Sequence, residues 1–114
     1  MWHKDLGDIS YTWPSALYRA KAAAVGKTSQ QMIIAELQAE PWPSRNRGVT
    51  EISSQEAERS FNATQFETNS EMARRTGFTQ AYFWGVEWWY WLKDRGDDEL
   101  WLKAKEVLSY GQNR

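Results

Sequence analysis

The chain has 114 residues, with 14 basic and 15 acidic side chains and a formal net charge of −1. That near-balance leaves no electrostatic footprint for nucleic acid or an anionic membrane surface. With no cysteine and a single histidine, His3, disulfides, thiolate zinc sites and a thiol nucleophile are excluded, and a His-rich metal centre or Ser-His-Asp triad is disfavoured. Chemistry is left to carboxylates, hydroxyls, amides and aromatic rings, and no cofactor or metal is expected.

Eight tryptophans are present, five of them between Trp84 and Trp101. Indole is an awkward core filler because its N–H needs a partner. Such a cluster suggests a surface that meets something flat and amphipathic. Residues 1–15 include His3, Lys4, Asp5 and Asp8, so no apolar signal core is read, and no stretch is apolar for long enough to span a bilayer. Localisation stays open.

In chain order, residues 1–13 read as a loop, with Gly7 and Asp8 at a turn and Tyr11 to Trp13 extended ahead of Pro14. Pro14 opens a helix over 15–25, which Gly26 ends. After polar residues 27–31, the apolar run 32–35 reads as a short strand buried on both faces, as in a parallel sheet. Pro41, Pro43 and Gly48 mark a loop. Ser53 and Glu56 form a capping box for a helix running to about Thr76, stopped by Gly77. Ala57, Phe61, Thr64, Thr68 and Met72 would line its buried stripe. A second strand is predicted over 78–84, then the Trp-rich stretch, a turn over 94–98, and a last helix over 99–110 capped by Asp98 and ended by Gly111. Strands alternating with helices predict an α/β fold with a parallel sheet. Two strands make no stable sheet alone.

Two stretches carry chemistry. In the first, Glu36-Leu37-Gln38-Ala39-Glu40-Pro41-Trp42, a carboxylate directly follows the predicted buried strand. At the C-terminal end of a parallel barrel strand it would face the active site, placed to attack an anomeric carbon or to handle a proton. Gln38, two residues on, would point the same way, and Glu40 continues the parity. From spacing alone, a strand-end ion pair for Glu36 is an equal reading. In the second, Phe83-Trp84-Gly85-Val86-Glu87-Trp88-Trp89-Tyr90-Trp91, an indole at a strand end followed by glycine suits the floor of a sugar subsite. Not all these rings can face one cleft. Trp84 is assigned to ligand, with Trp42, Glu87 and Trp88 as further contacts, whereas Trp89 and Trp91 read as packing. Arg45, Arg47 and the helix charges read chiefly as solvated, and the Asn62-Ala63-Thr64 sequon falls inside a predicted helix.

These two blocks resemble the last two strand ends of a bacterial group of cellulase-like glycoside hydrolases in clan A, which includes family 5 cellulases and family 42 β-galactosidases. The resemblance implies a (β/α)8 TIM barrel with retaining chemistry on a β-linked saccharide. Glu36 matches the nucleophile after strand seven, and Trp84 matches the tryptophan after strand eight. Residues 9–20, with Tyr11, Trp13, Pro14 and Tyr18, resemble the loop and helix after strand six. Residues 1–114 would then be the C-terminal portion of one barrel of about 250 residues, with strand seven, strand eight and their flanking helices. The clan's acid/base Glu follows strand four, for which this chain offers no counterpart. The chain alone is therefore expected to be inactive without the N-terminal barrel half. The alternative is a non-catalytic, Trp-rich carbohydrate-binding or interaction module.

Overall fold

The computed structural model describes residues 2–4, 7–9, 12–43 and 46–112. The element order is β1 (Trp2–Lys4), β2 (Gly7–Ile9), α1 (Ser15–Ala24), β3 (Ile33–Gln38), α2 (Ser54–Ser60), α3 (Ala63–Thr76), β4 (Gln80–Trp84), α4 (Val86–Asp94) and α5 (Glu99–Gln112). β1 and β2 pair antiparallel, and β3 and β4 pair parallel in a separate two-stranded sheet. The chain is thus mixed α/β. The expected loop over 1–13 is corrected to a short antiparallel strand pair, too brief to show in residue pattern. The Tyr11 and Arg45 expectations, and the side chain of His3, lie outside the described residues.

Glycine ends two helices as the sequence predicts. Gly26 (φ 71°) follows α1 and Gly77 (φ 69°) ends α3, both in the left-handed conformation that a Cβ disfavours. The single helix expected over 53–76 is two. Ser53 caps α2 by accepting the Glu56 N–H at 3.1 Å. Phe61 then turns extended (φ −156°), and Asn62 caps α3 by accepting the Gln65 N–H at 2.9 Å. The restart changes the helical phase. Phe66, Asn69, Ala73 and Thr76 are buried on α3, whereas Thr64 and Thr68 are exposed and Met72 is half-buried. The sequon asparagine accordingly sits at a helix start, not within one. The Trp-rich stretch, assigned no element from sequence, is helix α4, and α5 continues past Gly111.

The core is aromatic. Phe66 stacks on Phe83 of β4 with centroids 5.1 Å apart, and meets Trp89 (5.2 Å) and Phe61 (6.0 Å) edge-on. Ala39, Ala57, Leu100 and Ala104 close around these rings. The helices cover one face of the β3–β4 sheet. The other is open: Ile33 is 50% exposed and Trp84 56%. The strand expected to be buried on both faces is therefore buried on one. It also extends to Gln38, so Glu36 lies inside it and not directly after it. The molecule is a slab of 43 × 38 × 19 Å. Its radius of gyration is 15.3 Å, against about 13 Å for a compact chain of this length.

Phe66 touches three other rings, on β4, on α4 and at the end of α2, so its removal leaves a cavity that these elements cannot all collapse into. Phe66→Ala is expected to destabilise the fold by about 3–5 kcal/mol, read as a shifted urea midpoint. A loss below 1 kcal/mol would mean the aromatic cluster is not the organising core.

Candidate functional site

The sheet register decides which side chains share a face. Leu37 lies beside Phe83, and Gln38 beside Trp84. Leu37 is buried and Phe83 stacks on α3, so this pair faces the helices. Side chains alternate along a strand, which puts Glu36, Gln38, Tyr82 and Trp84 on the open face. Between Ile34 and Leu37 the register shifts, so that Ala35 and Glu36 together oppose Tyr82. This bulge lets Ile34 and Leu37 both face the helices while Glu36 stays with Gln38. Glu36 is exposed, and among the described residues no hydrogen bond or ion pair reaches its side chain. The strand-end ion pair is not formed there.

The strand exits are clipped together at Ala39–Glu40 and Trp84–Gly85. The Ala39 N–H donates to the Trp84 carbonyl (2.8 Å), extending the ladder one step beyond β3. The Trp89 indole N–H reaches back from α4 to the Ala39 carbonyl at 2.6 Å. Gly85 packs directly on that peptide: a Cβ there would lie 2.5 Å from Ala39 O and 2.9 Å from Glu40 Cβ, at a φ of 143° that only glycine adopts readily. The Trp84 indole N–H donates to Glu40 Oε1 at 3.1 Å, and Gln38 Nε2 donates to the Glu40 carbonyl at 2.9 Å.

A polar network supports this end of β3 from below. Asn69, buried on α3, donates to the Gln38 carbonyl at 3.1 Å. Its Oδ1 accepts from Thr12 Oγ1 and Gln65 Nε2, each at 2.9 Å. Sequence reasoning missed Asn69 and the tethering role of Trp89, whereas the glycine after Trp84 was singled out, and Gly85 does make a close backbone approach, to Ala39. Trp89 was legible in retrospect: positions 88, 89 and 92 share one face of a helix. Asn69 carries no sequence signal beyond being polar in an apolar phase.

The remaining expected residues divide. Glu40 is half-buried and Glu87 is exposed in the first turn of α4. Burial pushes the Glu40 carboxyl above its ordinary range; the Trp84 N–H opposes this, and the charge of Glu87 adds to it. Trp42 is 51% exposed, its backbone N–H donating to Ser60 Oγ at 2.9 Å. Trp88 is corrected: it is buried at 4% exposure and stacked on Trp91 with centroids 5.1 Å apart, so its ring is core and not ligand surface. Arg47 pairs with Glu56 of α2. Glu36, Gln38, Glu40, Trp84 and Glu87 thus gather at one end of the sheet, with Trp42 on the adjoining loop. Among the described residues no group of His, Asp and Glu side chains is arranged to hold a metal ion, and no helix is long and apolar enough to cross a membrane. A cavity of about 670 Å³ lies elsewhere, beside β4 between α3 and α5, and none of these carboxylates lines it.

No family model, no curated protein and no solved structure matches the chain.

Two outcomes test the site geometry. Gly85→Ala forces a Cβ into the Ala39 peptide at an unfavourable φ, and is expected to destabilise by about 1–3 kcal/mol, with loss of the Trp84 indole N–H resonance position. An unchanged urea midpoint would remove the close approach. For Glu40, a raised carboxyl pKa favours the folded state only while the group is protonated. That contribution is complete below the unfolded carboxyl's range and is lost as pH rises through the folded value. The stability of wild type relative to Glu40→Gln should therefore fall as pH rises from the acid range, and Glu87→Gln should weaken the dependence. Urea titrations at stepped pH read this directly; a difference that grows with pH would reverse the assignment.

Proposed function

We propose that this chain carries the last two strand ends of a retaining O-glycoside hydrolase built on a (β/α)8 barrel, acting on a β-linked saccharide. The observation that carries the reading is the register at the sheet's exit. Two adjacent parallel strands, each followed by helix on one side, bring Glu36 and Gln38 onto the face of Trp84. In a barrel of this kind the open face would be the lumen, and the C-terminal strand ends would hold substrate. Parallel sheets are normally covered on both faces, and the bare face and flattened shape are what a barrel segment presents. The groove beside the free edge of β4 lies where a neighbouring strand would run.

In this reading the Glu36 carboxylate attacks the anomeric carbon from one side of the sugar ring. An acid from strand four protonates the departing oxygen, and water then releases the glycosyl group from Glu36. The two carboxyls must stand roughly 5–5.5 Å apart for this double displacement. Glu40 is tied to Trp84 at the strand exit and so serves as a binding group, not the acid. Trp84 offers its ring face to the sugar's C–H face. A carbohydrate-binding module without catalysis is the second reading, favoured by the exposure of both Trp42 and Trp84.

The test is Glu36→Gln in the protein that joins this chain to a strand-four acid. Turnover should be abolished while oligosaccharide binding is largely retained. A mutant that still turns over removes Glu36 from the nucleophile role. Binding by the 114-residue chain, with no activity from any longer protein that contains it, would establish the module instead.

A further inference from the structure

We infer that Glu40 sets the class of saccharide this site accepts: with one carboxylate oxygen held by the Trp84 indole, its other oxygen takes a hydroxyl hydrogen from a neutral sugar lying on that ring, and sugars carrying a carboxylate at that position are rejected. The inference rests on the saccharide reading above and extends it from the ring that stacks to the group that selects.

An indole has one N–H, and that of Trp84 is already directed at Glu40 Oε1, 3.1 Å away. The ring can therefore offer a sugar only its face, and polar selection at its edge passes to the carboxylate. An ionised carboxylate accepts through both oxygens and donates nothing. No hydrogen bond among the described residues engages Glu40 Oε2, so acceptor capacity is left over. A sugar hydroxyl can supply the hydrogen; an ether or a carboxylate cannot.

The acceptor is held in place before ligand arrives. Its peptide is fixed on one side by the Trp89 N–H on the Ala39 carbonyl, and on the other by Gln38 Nε2 on its own carbonyl. Gly85 blocks any retreat of the backbone toward α4. Little ordering remains to be done on binding, which is the condition for a polar group to discriminate.

Charge supplies the rejection. Glu40 holds the Trp84 indole and Glu87 lies in the first turn of the helix that follows it, and among the described residues no cation pairs with either carboxylate. The Glu87 charge is felt at Glu40. A uronate placed on Trp84 would meet like charge at short range with no compensating cation, a penalty that a neutral pyranose avoids.

The experiment uses the 114-residue chain labelled with ¹⁵N, titrated with cellotetraose and separately with the same tetrasaccharide oxidised to the carboxylate at each primary alcohol. Cellotetraose should shift the Trp84 indole N–H, leaving the buried Trp88 and Trp89 signals in place, and the oxidised probe should bind at least tenfold more weakly. Glu40→Gln keeps an oxygen for the Trp84 N–H but replaces the free acceptor with an amide donor. It should weaken cellotetraose by about five- to tenfold, the loss of one charge-assisted hydrogen bond, and narrow the gap between the two probes. Unmoved Trp88 and Trp89 signals in the variant verify that it is folded. Equal binding of cellotetraose by wild type and Glu40→Gln, or equal binding of the two probes by wild type, overturns the role of Glu40 while leaving the saccharide reading intact. If neither probe moves the Trp84 N–H of wild type, the saccharide reading fails and this inference goes with it.

Discussion

The two parallel strand exits meet at Ala39 and Glu40. There, where β4 turns into α4, the Ala39 N–H donates to the Trp84 carbonyl, the Trp89 indole donates to the Ala39 carbonyl, and the bare Cα of Gly85 packs on the Ala39–Glu40 peptide. Each contact has a different physical origin: a ladder hydrogen bond, a buried side-chain donor that must find an acceptor, and a close approach that only glycine permits. Together they fix the height of one strand exit against the other. The relation of Glu40 to Trp84 follows from that, as does the placement of Gln38 level with the ring.

The aromatic residues serve two masters, and burial separates them. Phe61, Phe66, Trp88 and Trp89 are within a few per cent of full burial, whereas Trp42, Tyr82 and Trp84 are about half exposed. The division follows the sheet: rings on the helix side form the core, and rings on the open side remain accessible. Tryptophan was a sound indicator of something unusual, but the same residue type supplies the core and the candidate ligand surface within five positions of each other.

Much of this was legible in the sequence, and the failures have specific causes. The two parallel strands were found because each is a short apolar or aromatic run bounded by polar residues and turn signals. Gly26 and Gly77 were readable as helix stops because a left-handed backbone has few other occupants. The break at Phe61 and Asn62 was not, since its flanks are all compatible with helix and only the phase of burial reveals it. Helix α4 was obscured because its bulky rings are weak helix formers, and their aromatic character drew attention from their spacing. That error carried Trp88 into the ligand set. The grouping of Glu36, Gln38, Glu40 and Trp84 was legible because strand parity is independent of what lies around the strand, while the bulge and the Asn69 network depend on contacts between distant parts of the chain.

The break between α2 and α3 has a mechanical consequence. Ser60, the last residue of α2, holds the main chain of Trp42, with its hydroxyl accepting from the Trp42 N–H, while Trp84 belongs to the sheet that α3 supports. These two exposed indoles are thus supported by different helices, and the break between those helices is two extended residues, Phe61 and Asn62. A substitution on α2 therefore bears on Trp42 through Ser60, whereas Trp84 takes its position from the strand exit itself.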